Sequence, residues 1–416
     1  MGPKRDGVWR ETGIVEKFSP AGPPVRWRAP ISHGYAGPSV VGGRVYVTDR
    51  IPPQQASEDS GGTPGEASRG KERVLCLKES DGTVLWQHEY ECHYTISYPA
   101  GPRATPLVHE GKVYTLGAEG NLLCLNADNG KVVWARNFKS DFGIKAPQWG
   151  FSSNPLLDGN KLICLVGGAG STVVAFDKDT GKENWRALTA EEPGYSSPVI
   201  YEPAGKRQLI LWHPEAANSL NPETGEVYWS VPFKSTYGLT APMPRKLGNH
   251  LLFTSFYNGS LLLELDSSEP AATTLWQTKK ASERDTTHLN AIICTPFLED
   301  GYIYGVCSYG QLRCLKIATG ERIWETFKAT TSGKPVRWAN AFIVKNGDRF
   351  FLFNEQGDLI IAKLSPQGYE ELSRAHLLEP TNKDCGRPVV WSHPAFANRC
   401  VYARNDKELI CVSLAK

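Results

Sequence analysis

The stretch that decides the fold is Leu122-Leu123-Cys124-Leu125-Asn126-Ala127-Asp128-Asn129-Gly130-Lys131-Val132-Val133-Trp134. Its apolar run reads as a buried strand. Asn129-Gly130 supplies the positive φ that a tight hairpin needs, and the run after it reads as the next strand, ending on tryptophan. The same pattern recurs as Val74-Leu-Cys-Leu-Lys-Glu-Ser-Asp-Gly-Thr-Val-Leu-Trp86 and Val173-Val-Ala-Phe-Asp-Lys-Asp-Thr-Gly-Lys-Glu-Asn-Trp185. Three more copies end at Trp229, Trp276 and Trp324, and successive tryptophans lie 48, 51, 44, 47 and 48 residues apart. A degenerate copy, Ile360 to Leu372, carries Leu in place of Trp. Upstream of each hairpin lies another pair of short strands, as in Thr105 to Leu116 and Pro155 to Leu165. Four strands per repeat with no helical stretch between them is the unit of a propeller blade, not of a βαβ fold.

The two ends settle the number of blades. The last unit, Pro394 to Leu414, stops before its tryptophan strand, while Pro24-Val-Arg-Trp27-Arg-Ala-Pro30 is an orphan copy of that strand. The expectation is an all-β, eight-bladed β-propeller of four-stranded antiparallel blades. Residues 24–30 complete blade eight, which removes the open sheet edges of a solenoid. Residues 1–23 form an N-terminal extension and 24–416 a single propeller. A polar insertion over 51–71, in blade one, reads as flexible: a mobile lid or partner-binding loop, or a tolerated surface insertion.

The chain has 46 Lys plus Arg against 44 Asp plus Glu, a net charge of +2, which gives no field for nucleic acid or an anionic membrane. No apolar run is long enough to span a bilayer, and Met1-Gly2-Pro3-Lys4 lacks the apolar core of a signal peptide. The ten cysteines contain no Cys-x-x-Cys. Four of them, Cys76, Cys124, Cys314 and Cys411, share one place in the repeat, where other copies have Ala175, Ser219 and Ala362, and they read as small core residues.

The Gly-x-x-x-Trp ending is kept in five copies and loses its Gly in the copy ending at Trp276. In this it resembles the pyrroloquinoline-quinone (PQQ) repeat family, over about residues 2–414. That family includes quinoprotein alcohol dehydrogenases and the non-enzymatic propeller lipoprotein of the outer-membrane barrel-assembly machinery. The stretches Gly2-Pro3-Lys4-Arg5-Asp6-Gly7, Leu211-Trp-His-Pro-Glu215 and Val390-Trp-Ser-His-Pro-Ala-Phe-Ala-Asn398 are further similar to exported bacterial members. The resemblance implies a periplasmic or secreted protein whose export signal lies outside this sequence; the cysteines favour the cytoplasmic alternative.

Function in a propeller belongs where each outer strand crosses to the next blade's innermost strand. Those segments carry His33, Tyr35, Arg103, Trp149, Asn290, Trp338, Asn340, Trp391 and His393, a set of aromatic and hydrogen-bonding residues suited to a planar or sugar-like ligand at the channel mouth. The competing reading is that the aromatics only pack the entrance of each innermost strand. Arg103 suits a carboxylate held bidentately or a structural ion pair. His33, His213 and His393 read as hydrogen-bonded rim residues, because no His-x-His or Glu-x-x-His spacing supports a metal. Gly167-Gly-Ala-Gly170 lies between strands with no helix to bind phosphate. A dehydrogenase of the resembled family would stack PQQ on a tryptophan, commonly under a disulfide of adjacent cysteines, with calcium held by Glu, Asn and Asp. No two cysteines are adjacent here and no such acidic set falls on the crossing loops. The balance favours a monomeric, non-catalytic binding or scaffold propeller without a cofactor. It would present its loop-rich face to a protein, peptide, carbohydrate or other small polar or aromatic ligand. The alternative is a PQQ-dependent alcohol or sugar dehydrogenase with an atypical pocket.

Overall fold

The computed structural model describes residues 2, 4–53, 69–279, 282–284, 286–384 and 386–416. Eight four-stranded antiparallel sheets follow one another along the chain. Blade one comprises Ser39–Val41, Arg44–Ile51, Lys71–Lys78 and Val84–Glu91, and blade seven ends with Gly368–His376. Blade eight combines Ala395–Ala397, Cys400–Arg404 and Glu408–Ser413 with Val25–Pro30 from the other end of the chain, paired through Trp27↔Cys411 and Ala29↔Leu409. The ring therefore closes as the orphan strand requires. Most of the 51–71 insertion lies outside the described residues.

The repeat's glycine and tryptophan are partners across blades. A Cβ on Gly82 would lie 2.7 Å from the Trp27 ring, on Gly130 2.5 Å from Trp86, on Gly181 2.7 Å from Trp134, and on Gly225 2.6 Å from Trp185. Each glycine thus serves the preceding blade's indole as well as its own turn. The indole N–H groups of Trp27, Trp86, Trp134, Trp276 and Trp324 donate to backbone carbonyls of the next blade at 2.7–3.0 Å. Trp185 and Trp229 depart from this. The Trp185 Nε1 has no hydrogen-bond partner among the described residues. Trp229 faces blade five, whose repeat lacks the glycine, and its N–H turns to Gln208 Oε1 of its own blade at 3.1 Å.

Within each blade a register shift falls beside the tryptophan, and the residue directly opposite it on the third strand is Cys76, Cys124, Ala175, Ser219, Leu262 or Cys314 in blades one to six. Apart from Leu262 these side chains are small and make room for the indole, so the four repeat cysteines are packing residues. In blade seven the same register puts Ser373, opposite Ile361, at the tryptophan position; Leu372 sits at the bulge. The sequence alignment on Leu372 was one residue early, because the strands of this blade are longer and the bulge absorbs the extra residue. Among the elements with no counterpart in the repeat are a one-turn helix, Phe138–Phe142, and a hairpin of Asn382–Asp384 with Arg387–Val389 between blades seven and eight.

Seven of the eight short innermost strands are entered through a proline: Pro38, Pro106, Pro155, Pro198, Pro244, Pro296 and Pro394. The N-terminal extension is docked on this inner ring. Val8 pairs in parallel with Lys345 of the innermost strand of blade seven. Trp9 is buried against Phe351 and Phe396, with ring centroids 5.5 and 5.1 Å away, and Ile14 pairs with Ala415.

Candidate functional site

The crossing segments and the loops joining second to third strands converge on one face, where consecutive blades lock to each other at the strand entrances. Thr105 N donates to Asn154 Oδ1 at 2.7 Å, Asn154 N to Ser197 Oγ at 3.0 Å, and Met243 N to Thr295 Oγ1 at 3.1 Å. Gly37 closes the ring between blades eight and one: a Cβ there would lie 2.3 Å from the His393 carbonyl oxygen. The expected site residues divide among three clusters on this rigid rim.

The first spans blades seven, eight and one. Glu355 is buried and receives Arg387 Nε on one oxygen (3.1 Å) and Arg387 Nη2 and Trp391 Nε1 on the other (3.2 and 2.9 Å). Arg387 also binds Asp384 at 2.5 Å, and Asp384 accepts from Tyr98 OH at 3.1 Å. The Tyr98 ring packs against Trp391 at 6.0 Å. Arg103 Nη2 donates to the carbonyls of Ser97 and Tyr98 at 3.0 and 2.6 Å, and its guanidinium lies 5.1 Å from the Tyr35 ring. Arg103 is thus bound to backbone carbonyls and a ring face, holding Tyr98 at φ +54°; it makes no ion pair among the described residues. Burial pushes the Tyr35 hydroxyl up to about 12. His33 is 46% exposed, 3.9 Å from Asp406.

The second cluster spans blades four to seven. The Arg337 guanidinium lies 4.3 Å from the Trp338 ring and is held by Glu283, through its Nε at 3.1 Å, and by Tyr257 OH at 3.3 Å. Tyr309 OH donates to Glu283 at 3.2 Å. Tyr237, 64% exposed, packs edge-on against Tyr257 with centroids 5.4 Å apart. Trp338 and Tyr237 both sit at positive φ, +66° and +56°, conformations that tertiary contacts must hold in place. Asn290 and Asn340 lie beneath this patch rather than on it, at 0% and 1% exposure. Each donates to a backbone carbonyl, Phe256 for Asn290 and Trp338 for Asn340, and their Oδ1 atoms lack a hydrogen-bond partner among the described residues.

Trp149 stands apart from both, edge-on to Tyr195 at 5.7 Å. The three tryptophans of the expected platform therefore carry separate partners and form no common floor. His393 packs on Phe342, with ring centroids 3.8 Å apart, and desolvation lowers its pKa to about 3. His213 meets Glu215 at 2.8 Å, as a rim histidine.

The carboxylates of this face are already engaged. Glu72, 1% exposed, accepts from Tyr90 OH, Tyr94 OH and, at 2.9 Å, Ala118 N; burial raises its pKa. Glu119 accepts Lys139 Nζ and Thr95 N, both at 2.5 Å. With Glu355 and Asp384 tied to Arg387, these acids offer no free donor set for calcium, and no cluster of three or more His, Cys, Asp or Glu among the described residues could hold a metal. Trp338, a candidate quinone floor, is covered by Arg337. The residues present do not fit a PQQ–calcium pair.

Sequence reasoning missed Glu355, Arg387, Arg337, Tyr257, Glu283 and Tyr237. Glu355 and Tyr257 occupy second-to-third-strand loops, a class of loop that geometry directs to the same face; Arg337 adjoins Trp338 in the chain. A cleft of about 570 Å³ lies elsewhere, beside residues 8–14 and Lys345–Gly347, away from all of these residues.

A closed ring of eight blades, seven of them tryptophan-ended, carrying its aromatic and arginine groups on one loop face, defines a PQQ-like repeat propeller. The chain belongs to the family whose model is described as outer membrane protein assembly factor BamB, which matches residues 70–324 and 218–416. Outer membrane protein assembly factor BamB of Yersinia pestis is 25% identical over 238 residues, 55% of this chain and 54% of that protein, so the match spans about half the length of the curated relative. BamB from Moraxella catarrhalis superposes with a TM-score of 0.58 at 14% identity, over 93% of this chain and 97% of that one. Quinohemoprotein alcohol dehydrogenase from Comamonas testosteroni does so with 0.63 at 14% identity, over 99% and 79%. These two likenesses are of fold. No helix among the described residues is long and apolar enough to cross a membrane.

Proposed function

We propose that this protein is a non-catalytic binding propeller whose crossing-loop face docks a protein partner in outer-membrane protein assembly, on the periplasmic side. The observation that carries this reading is the patch of Tyr237, Tyr257, Arg337 and Trp338. Its aromatic groups are exposed or half-buried, and the Arg337–Glu283 pair fixes them (Nε to Oε2, 3.1 Å). Rigid tyrosine, tryptophan and arginine anchors lose little entropy on binding and dominate protein interfaces. The family's assembly-factor description supports the choice of partner. The engaged carboxylates and separated tryptophans favour binding over dehydrogenase chemistry.

Purified outer-membrane assembly components of the source organism, presented to the immobilised protein, test this. Saturable binding lost on Tyr257→Ala and Arg337→Ala supports it; binding unchanged in both variants removes the assigned face. Titration with PQQ and calcium, followed by absorbance and dye-linked turnover, tests the enzymatic alternative. Stoichiometric PQQ binding with turnover would overturn the non-catalytic reading.

A further inference from the structure

Residues 5–9 lie on the propeller as a peptide ligand lies on its receptor. The ring is complete without them, since Val25–Pro30 closes blade eight. Between Gly7 and Trp9 the segment makes one parallel bridge to the inner edge of blade seven, at Val8 and Lys345: Lys345 N donates to the Gly7 carbonyl at 2.9 Å and Trp9 N to the Lys345 carbonyl at 2.8 Å. Adding a strand to a sheet edge is a general mode of peptide recognition, with affinity from the main chain and specificity from side-chain pockets.

Two side chains anchor the ends. Arg5 enters the channel, where its guanidinium donates to the Pro198 carbonyl at 2.9 Å and to the Pro155 carbonyl, at the entrances of blades four and three. Trp9 fills the pocket of Phe351 and Phe396. Arg245, from the innermost strand of blade five, donates to the carbonyls of Arg5 (2.7 Å) and Asp6 and to Pro296 O at 3.1 Å, bridging segment and ring. Gly7 is required by contact and by conformation: φ is +73°, and a Cβ would lie 2.7 Å from Arg245 Nη2. The Asp6 carboxylate receives Val8 N at 3.1 Å and Arg10 at 3.2 Å, which fixes the bend.

The site thus reads a pattern, Arg-Asp-Gly-x-Trp, mostly through backbone groups of the ring and two end pockets. Arg5 faces carbonyls and no carboxylate within ion-pair distance among the described residues, so burial works against its charge, lowering its pKa to about 10. Tethering compensates: a linked segment is present at an effective concentration on the order of millimolar, which favours occupation of the site over release.

We propose that the channel floor is a receptor site for an extended peptide of the pattern Arg-Asp-Gly-x-Trp, which the chain's own residues 5–9 fill and which the same pattern on another chain enters in exchange. This site shares no residue with the Tyr237, Tyr257, Arg337 and Trp338 patch proposed above. The test uses the full-length Gly7→Ala variant, in which the tethered segment no longer fits, and a fluorescein-labelled peptide of residues 2–12. Anisotropy is expected to show saturable binding to the variant at least tenfold tighter than to the unaltered chain, and loss of binding when the peptide's own Arg5 or Gly7 is replaced by alanine. A folded variant that binds the peptide no better than the parent, or binds all three peptides alike, overturns the proposal. Should Gly7→Ala not fold, the unaltered chain is read by amide exchange. Peptide at several millimolar is expected to raise the exchange of Trp9 N–H at least tenfold, and unchanged exchange overturns the proposal.

Discussion

Replacing Gly130 by alanine separates the two demands that the repeat makes on its glycine. The residue sits at φ +70°, and a Cβ would lie 2.5 Å from Trp86 Cε3. Holding an alanine in the left-handed region costs about 1–2 kcal/mol. Forcing the Trp86 ring out of a close-packed inter-blade wedge adds about 1–3 kcal/mol and endangers its 2.9 Å bond to the Ala127 carbonyl. Gly111 supplies the control: it lies at φ +73° with nothing within 4 Å of an added Cβ. Gly111→Ala is therefore expected to lose about 1–2 kcal/mol and Gly130→Ala about 2–5. Urea unfolding followed by far-ultraviolet circular dichroism measures both, with the slope unchanged if only stability moves. A Trp86→Leu background vacates the ring's space and is expected to reduce the Gly130→Ala penalty to that of Gly111→Ala. Equal losses at the two glycines, or a penalty indifferent to Trp86, would refute the reading that each blade's glycine is the seat of the preceding blade's tryptophan.

Two further perturbations probe the loop face. Burial raises the folded-state pKa of Glu72 above its ordinary 4.5, so its favourable contribution is complete below the unfolded pKa and is lost as pH rises through the folded one. Glu72→Gln is expected to remove that component, so that melting temperature declines less from pH 4 to pH 8 in the variant than in the parent; parallel profiles would count against it. Arg103→Ala leaves the Ser97 and Tyr98 carbonyls without their donor and is expected to cost about 2–3 kcal/mol and to speed proteolysis within residues 97–103, while Arg103→Lys restores only part of the loss because it lacks the planar fork.

The architecture was legible because the repeat writes each blade's turn, strand and tryptophan into a short local string, and because the orphan strand at Trp27 had one place to go. The Leu372 alignment failed by one residue, since a bulge changes register without changing composition. The site was only partly legible. Tyr35, Arg103, Trp338 and Trp391 do lie in the clusters of the loop face, but Arg103 is consumed by carbonyls, Asn290 and Asn340 are buried beneath the face, and Trp149 stands alone. The groups that hold the aromatics in place, Glu355 with Arg387 and Glu283 with Arg337, are pairs distant in sequence. Only the closed ring brings them together. The docking of residues 5–9 was hidden for the same reason, because a segment without periodicity gives no sign of what it will pair with.

The measurement that bears most directly on the proposed binding role is amide hydrogen exchange of the whole protein with and without the proposed outer-membrane assembly partner. Protection confined to residues 233–240, 256–258 and 327–340 is the predicted result. Protection instead along the outer strands, around Val84-Leu85 and Val132-Val133, with the loop face unchanged, would contradict the assignment of that face.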